Sequence, residues 1–513
     1  MDLIQWFIVA AMFIAVCIVV IFAIYTYVHF QHPEDDTNQC IWFYRLTFIT
    51  TFSFALFLVL SIPIDVASTP RLDSPGLPFH MYWFWSVLTL MVTSCLWILL
   101  PIAIIMYNSS NKKSLCAKVT NALLVTFALL LVHIAIIVGI KYGITKTNIG
   151  YTMVKVNFRH AMKSEGINVD FGEYMVQDLW LGIDLTWFNC VMIWLTIIGS
   201  IFWSLIGGFG LANAPISMLN TWLNRPMRKD AEDHTFTKLI LRSENEGLLE
   251  QAKVANEFKN NYDKATGLRN RIKLGWTLNK MRNALSEKFF RMEQTMSIFK
   301  QEDDLTKSNP LLYGFWLVAG MFLLLISFGM IAHTVFHIIP KNGVHGVPLN
   351  SFFDGIITNS STFMAFAVGA FLFTALCCYL QVAIMKGNNA VHLVFPDALW
   401  GQMPFLYNGT WLSSFLVNSA FLICGSQGMI CYMCNLFPQY LRFTTCHLLY
   451  SDLLKGLPYI GWFYNWKVCD YMICLVFALS SVYLLLTPSE KSRMKKLMEE
   501  KKHERMELMK KDP

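Results

Sequence analysis

Nine apolar runs, each close to the length that crosses a lipid bilayer, leave this chain few folds to choose from. They extend over residues 3–28, 41–64, 81–106, 119–140, 179–206, 311–338, 352–385, 405–434 and 468–486. A span needs about 20 apolar residues, because a helix rises about 1.5 Å per residue through a hydrocarbon layer about 30 Å thick. Backbone amides in lipid must find partners within their own segment, so runs of this length predict helices. The expected fold class is therefore all-α, a polytopic membrane protein with about nine transmembrane helices. Composition agrees, with 55% of residues hydrophobic and only 15% charged. The first run has no basic residue before it and no small-residue cleavage site after it, so it reads as a retained span.

One polar island interrupts the pattern. Residues 224–309 open with Arg228, Lys229, Asp230, Glu232 and Asp233 and close with Glu302, Asp303, Asp304 and Lys307. Leu274, Leu278, Met281, Leu285, Phe289, Met292, Met296 and Phe299 recur there at steps of three and four, which places them on one stripe of a single helix. Phe236, Ile240, Leu248, Ala252, Ala255 and Tyr262 form a weaker earlier stripe, and Asn260 with Gly267 offers a break between the two. Two helices folding back would bury both stripes, giving a coiled-coil-like helical hairpin; a basic helix lying on anionic lipid is the competing reading. The expected division is 1–223 for spans one to five, 224–309 for the helical loop, 310–487 for spans six to nine, and 488–513 for a basic tail.

Positive charge sets the orientation. The island, the connection holding Lys112, Lys113 and Lys118, and the tail with Lys491, Arg493, Lys495 and Lys496 all fall on one side of a nine-span protein, which is then the cytosol. The connection at 29–40 carries Glu34, Asp35 and Asp36 on that same side and runs against the rule. The net charge of +7 is spread without a basic patch interleaved with aromatics outside the island, so no nucleic-acid partner is expected, and membrane lipid is.

No P-loop, zinc-protease, serine-hydrolase or dinucleotide signature is present, so neither an enzyme nor a cofactor is expected. Cys431 and Cys434 make a C-x-x-C without a second pair, which argues against zinc; a Cys434–Cys446 disulfide is an open alternative if that connection is luminal. Polar groups in apolar surroundings need a partner or a cavity. Asp65, ending span two, is either a helix-end residue or a luminal ligand contact. Asp184 and Asn189 could face His133, His333 or His337 across spans four, five and six, with an interhelical hydrogen bond the plainer role for each histidine. Trp83, Trp85, Trp187 and Trp203 read as aromatic-belt residues. Glu244, Leu248 and Leu249 fit the acidic dileucine pattern that sorts proteins to endosomes and lysosomes, provided that the helix opens at Gly247; otherwise Leu248 is a stripe residue.

Span five runs into Gly207-Gly208-Phe209-Gly210-Leu211 and then Ala214-Pro215-Ile216, which reads as a kinked exit from the membrane followed by a new helix starting at Pro215. Residues 208–220 resemble the Gly-x-Gly-Leu/Met-x-x-x-Pro-x-x-Leu-Ile stretch of the limb-region and lipocalin-interacting membrane receptor family, so Gly208, Gly210 and Pro215 are family-type positions. Ser61-Ile62-Pro63-Ile64-Asp65 and Leu436-Phe437-Pro438-Gln439-Tyr440 are similar to stretches of its lysosomal cobalamin exporter branch, although Leu441-Arg442-Phe443-Thr444 follows here where that branch continues differently. The resemblance implies nine spans, a long cytosolic loop after span five, and export or escort of a small polar ligand from lysosomes, alone or beside an ATP-driven transporter. Asp65, Gln439, Tyr440 and Arg442 are then the first luminal ligand contacts, with Pro438 structural. The family's receptor branch implies the alternative, a plasma-membrane receptor or signalling scaffold whose loop is a docking arm, with a signalling receptor or a second copy as partner.

A tag after Pro513 and an epitope inside residues 224–309 should both be reached by antibody only after permeabilisation. Labelling of either on intact cells, or protection of either from antibody added outside sealed lysosomes, would reverse the orientation.

Overall fold

The fifth span organises the rest. A computed structural model of the chain describes residues 3–32, 35, 40–69, 81–109, 114–144, 146–156, 174–223, 231–264, isolated positions between 274 and 292, 311–339, 363–391, 410–438, 440–441 and 443–486. Among them, nine helices are long and apolar enough to cross a membrane. In chain order they include Leu3–Phe30, Ile41–Ser68, Met81–Asn108, Leu115–Gly143 and Trp187–Leu223. Four more follow: Leu311–His333 with its π-turn continuation Thr334–Ile338, Phe363–Val391, Leu412–Leu436 and Val468–Leu486.

Span five does not end at its glycines. Trp187–Leu223 is one helix of 37 residues, with a π turn at Trp203–Gly207, where the Trp203 ring lies against Gly207. At about 1.5 Å per residue it is longer than the hydrocarbon layer. Pro215 sits inside this helix, so the expected exit at Gly207 and new start at Pro215 are corrected. A proline leaves the carbonyl four residues earlier without its amide. Here that carbonyl belongs to Leu211, and Ser327 Oγ of span six donates to it at 2.9 Å. The helix therefore continues because a neighbour supplies the missing donor.

Its glycines are contacts between helix backbones. A Cβ on Gly210 would lie 1.8 Å from the Ala383 carbonyl oxygen of span seven, and one on Gly387 would lie 2.0 Å from that of Ile206. Gly199 and Gly428 meet in the same way, a Cβ on Gly428 falling 2.0 Å from the Gly199 oxygen and so fixing span five against span eight. Gly208 faces Ile473 and Val476 of span nine at 3.1 Å. In lipid no hydrophobic force draws helices together, so small residues that admit close packing do much of this work. Span eight is the most enclosed, 78% of its apolar window being buried, against 11% for span four, which faces outward.

The start of span five is also corrected. Residues Tyr174–Asp184, in part assigned to the span from sequence, form strand β2, antiparallel to β1 at Lys146–Val156, with Lys146 opposite Asp184 and Val156 opposite Tyr174. The apolar run crosses from strand into helix without a polar gap, and the boundary is set by Thr186, whose hydroxyl caps the helix by accepting from the Asn189 amide at 3.2 Å. The hairpin meets the connection between spans eight and nine, where Thr147 Oγ1 donates to the Leu453 carbonyl at 3.1 Å. On the other face the His32 amide donates to the Thr410 carbonyl at 3.0 Å. Connections one and seven thus share a face, and connections four and eight share the opposite one, as alternating spans require.

Within the island, Ala231–Lys264 is a helix that continues unbroken through Gly247. Of the second stripe, Leu274, Leu278, Met281 and Leu285 are half-buried, Met292 is buried and Phe289 is exposed. Lys288 Nζ donates to Gln251 Oε1 at 3.1 Å, a contact between the two stretches. Met296, Phe299, the break near Gly267 and the tail at 488–513 lie outside the described residues.

Replacing Gly210 or Gly428 by Val should abolish the monodisperse detergent-solubilised protein, because backbone on the neighbouring helix cannot yield as a side chain can. Gly247, with nothing within 4 Å of an added Cβ, should accept Ala unchanged or with a gain of about 1 kcal/mol. Size-exclusion profiles of the three variants decide this.

Candidate functional site

The connection between spans eight and nine is folded onto the bundle. Span eight stops at Leu436, and Phe437 and Leu441 make successive turns, donating their amides to the Met433 and Phe437 carbonyls at 2.9 and 3.1 Å. Pro438 occupies the turn between them and is half-buried. Tyr440 is buried, its ring 4.8 Å from that of Phe373 in span seven, which also meets Phe437 at 5.5 Å. A short helix follows, comprising Thr445–His447, a π turn at Leu448–Asp452 and Leu453–Lys455, with Thr444 capping it by accepting from the His447 amide at 3.1 Å.

Asp65 holds that helix in place. Its side chain is 1% exposed, and Oδ2 accepts from Trp85 Nε1 at 2.9 Å and from the Cys446 backbone amide at 2.7 Å. A carboxylate on a first-turn amide satisfies an orphan donor and complements the positive end of the helix dipole. Trp85 packs edge-on against Tyr450 at 5.6 Å, and the Tyr450 hydroxyl donates to Gln427 Oε1 at 2.9 Å, returning the chain of contacts to span eight. Burial pushes the Tyr450 phenol and the Cys446 thiol well above their ordinary values, so both stay protonated.

Beside this clamp lies a water-sized cavity between spans five, eight and nine and the folded connection, lined by Ser200, Trp203, Tyr432, Tyr464, Lys467 and Asp470 among others. Asp470, in the first turn of span nine, is 3% exposed. Within the lining, Trp203 Nε1 is buried without a hydrogen-bond partner in the structure, while the Tyr464 hydroxyl faces the Ser200 side chain. Lys467 Nζ donates to the Ile338 carbonyl and Lys455 Nζ to Ser451 Oγ, the latter at 2.8 Å, and the two ammonium groups supply the opposite charge nearest Asp470. Convergent polar groups around a volume of this size are what an internal water needs, since one is held by two to four such partners. An ionisable side chain among spanning helices is costly unless it is paired or hydrated.

Polar contacts also cross the interior. Gln381 Nε2 donates to the Ala55 carbonyl at 3.2 Å and to Ser426 Oγ at 3.0 Å, joining spans two, seven and eight. The amides of Asn388 and Asn418 bond each other, and Asn418 Nδ2 donates to the Ser414 carbonyl at 2.8 Å. At the opposite end of span eight, fully buried Asp35 accepts from the Tyr107 hydroxyl at 2.5 Å and from the Leu412 amide at 2.7 Å. That use accounts for one acidic residue in a connection where positive charge was expected.

Of the residues proposed from sequence as ligand contacts, Asp65 and Tyr440 are brought into this one region but face internal partners. Gln439 and Arg442 lie outside the described residues. Gly208, Gly210 and Pro215 form the packing hub of span five. Leu248 is half-buried and Leu249 is 56% exposed on the continuous helix Ala231–Lys264; the side chain of Glu244 lies outside the described residues. Asp184 is not intramembrane: it ends β2, exposed, 3.8 Å from Lys146. His133 accepts from Trp194 Nε1 at 3.1 Å and stacks on Trp97 at 4.4 Å, an interhelical hydrogen bond, while His333 Nε2 lies 3.4 Å from the Leu436 carbonyl. Asn189 accepts from the Tyr82 hydroxyl at 3.3 Å. The side chain of His337 lies outside the described residues. Trp83 and Trp187 are exposed as belt residues are, whereas Trp85 and Trp203 are core residues and correct that assignment. Asp470 was missed, although it is the only acidic residue in the last apolar run.

Residues 8–274 match the profile of the family described as LMBR1-like membrane protein. A LIMR family protein of Oryza sativa subsp. japonica is 24% identical over 88% of this chain and 91% of its own length. LIMR family proteins of Arabidopsis thaliana and Dictyostelium discoideum are 23% and 21% identical, over 92% and 91% of this chain and 94% and 95% of their own lengths. No solved structure matches the chain.

Asp65→Ala should leave the Cys446 amide and Trp85 indole buried without an acceptor and destabilise the protein by about 1.5–3 kcal/mol. Limited proteolysis should then cut first within residues 437–467. Cleavage rates equal to those of the unmodified protein would show that the clamp is dispensable.

Proposed function

The chain belongs to the LMBR1-like membrane protein family, and we propose that it acts there as a non-enzymatic membrane escort or scaffold, holding a partner that moves a small polar solute. The observation that carries this reading is the packing of the bundle's centre. Spans five, seven and eight meet backbone to backbone at Gly199, Gly210, Gly387 and Gly428, and the two cavities beside them are each about the size of one water molecule. A conduit for a ligand the size of a vitamin needs an opening that such contacts resist. The helix Ala231–Lys264 leaves the apolar side chains of Leu249 and Val254 exposed, surface that a partner could cover. An ATP-driven transporter or a signalling receptor fits that role, and a second copy of the chain is the alternative partner. Residence in lysosomes or endosomes, with cobalamin as the solute, follows from the resemblance of the short stretches at Asp65 and Pro438; the plasma membrane is the alternative location.

A second reading, in which the bundle itself conducts, is favoured by buried Asp470 and the polar groups that converge on its cavity. Cells lacking the chain separate the two when cobalamin retained in acidic compartments is the readout. The escort reading expects full-length protein carrying Leu249→Asp and Val254→Asp to fail in rescue while Asp470→Asn succeeds, both at normal abundance. Rescue by the former and failure of the latter would replace it with the conduit reading. Absence of any retention in knockout cells would remove cobalamin from both.

A further inference from the structure

We propose that Cys434 and Cys446 are joined by a disulfide in the mature protein, fastening the folded connection between spans eight and nine to the end of span eight. The two sulfurs lie 3.7 Å apart, in contact and not bonded in the structure, and both side chains are fully buried. Closure to the 2.05 Å of a disulfide, by about 1.7 Å, is within reach of side-chain rotation. Both backbones are held in place. Cys434 is in the last turn of the span that ends at Leu436, and the Cys446 amide is fixed at 2.7 Å by Asp65, with Thr444 capping the same turn. Cys431, one turn earlier on the same helix, completes the C-x-x-C, but it is Cys446 whose sulfur the structure places against Cys434.

The compartment fits the chemistry. Only one span, Val468–Leu486, separates this connection from the basic tail, so the two lie on opposite faces of the membrane. The tail's charge assigns it to the cytosol and the cysteine pair to the luminal or extracellular side, where disulfides persist. On that face the connection also packs against the β1–β2 hairpin through Thr147.

Timing follows from burial. A thiol must ionise to react, and the enclosed Cys446 thiol is held well above its ordinary value, so the folded site has little thiolate to offer. The bond therefore forms while residues 437–467 are still open. One thiolate attacks a disulfide of a luminal oxidoreductase, the second resolves the mixed disulfide, and the pair gives up two electrons and two protons as the oxidoreductase leaves as a dithiol. Once the connection folds down, the same burial shields the bond from reductants, making it a structural fastening and not a switch.

Full-length protein purified from a eukaryotic secretory pathway tests this. It is denatured in detergent with N-ethylmaleimide and no reductant, then reduced and treated with iodoacetamide before peptide mass spectrometry. Cys434 and Cys446 should carry the iodoacetamide label in most molecules, Cys431 should carry the maleimide, and an unreduced digest should contain a peptide cross-linked between positions 434 and 446. Maleimide on both residues, or a link from Cys434 to Cys431, would overturn the proposal. Neither result depends on what the protein transports or holds.

Discussion

Backbone approach between helices, made possible by glycines in span five, is the constraint on which the rest of the structure depends. With the carbonyl of Ala383 standing 1.8 Å from where a Cβ of Gly210 would be, no residue with a side chain can occupy that position at this separation. The same holds where Gly428 meets the Gly199 carbonyl. In water, apolar side chains would draw such helices together; in lipid that force is absent, and contact area with polar links must substitute for it. Span five supplies both. Its glycines bring spans seven, eight and nine close, and its Pro215 leaves a carbonyl that recruits Ser327 from span six. Asn213 adds a hydrogen bond of 3.0 Å to the Lys386 carbonyl. A proline that would break an isolated helix here becomes the reason that two helices are joined.

Span eight is fixed from span two by the same economy of polar groups. Asp35, just ahead of span two, accepts from the first amide of span eight at Leu412. Asp65, near the end of span two, accepts from the Cys446 amide just beyond span eight. Between these ends, Gln381 bridges the Ala55 carbonyl to Ser426. Two buried carboxylates thus serve helix N-termini from the two ends of one neighbouring helix, and spans two and eight must run parallel for both to do so. Each carboxylate also takes an aromatic donor, Tyr107 for Asp35 and Trp85 for Asp65, which keeps the buried charge solvated by protein.

Much of this was legible in the chain, and the illegible part has physical causes. Nine spans follow from run length alone, because lipid enforces intrasegment hydrogen bonding, and the structure has nine candidate helices among its described residues. The span boundaries were less secure. The run at 179–206 hid a strand, since β2 and the first turn of span five are equally apolar and only Thr186 marks the change. The Gly-Phe-Gly-Leu segment was visible as special but misassigned, because glycine favours helix exits in water and close packing in membranes, and sequence does not say which solvent applies. Asp65 was singled out correctly as a polar group needing a partner, yet the partner, a backbone amide 381 positions away, has no local signature. Asp470 carried the signal of an acid inside an apolar run and was lost at its edge, where belts and caps are expected.

The locked and unlocked parts of the bundle then decide where movement can arise. The walls of the Asp470 cavity come from spans five, eight and nine and from the folded connection. Spans five and eight are held to each other by Gly199 and Gly428, and span eight is held to span two at both ends and in the middle. Among the described residues span nine has no such fastening to span eight; it meets span five at Gly208, by side chains as well as backbone, and at Cys469, whose carbonyl accepts from Ser204 Oγ at 3.3 Å, and only 22% of its apolar window is buried. Lys467, between the connection and span nine, donates to the Ile338 carbonyl at the end of span six, and Tyr432 of the lining is bonded to Thr334 of span six at 2.9 Å, so span six meets the cavity through both side chains. Because spans two, five and eight are fastened to one another, an opening that exposes Asp470 has to part span nine from span five, giving up the contact at Gly208 and the 3.3 Å bond from Ser204 Oγ to the Cys469 carbonyl.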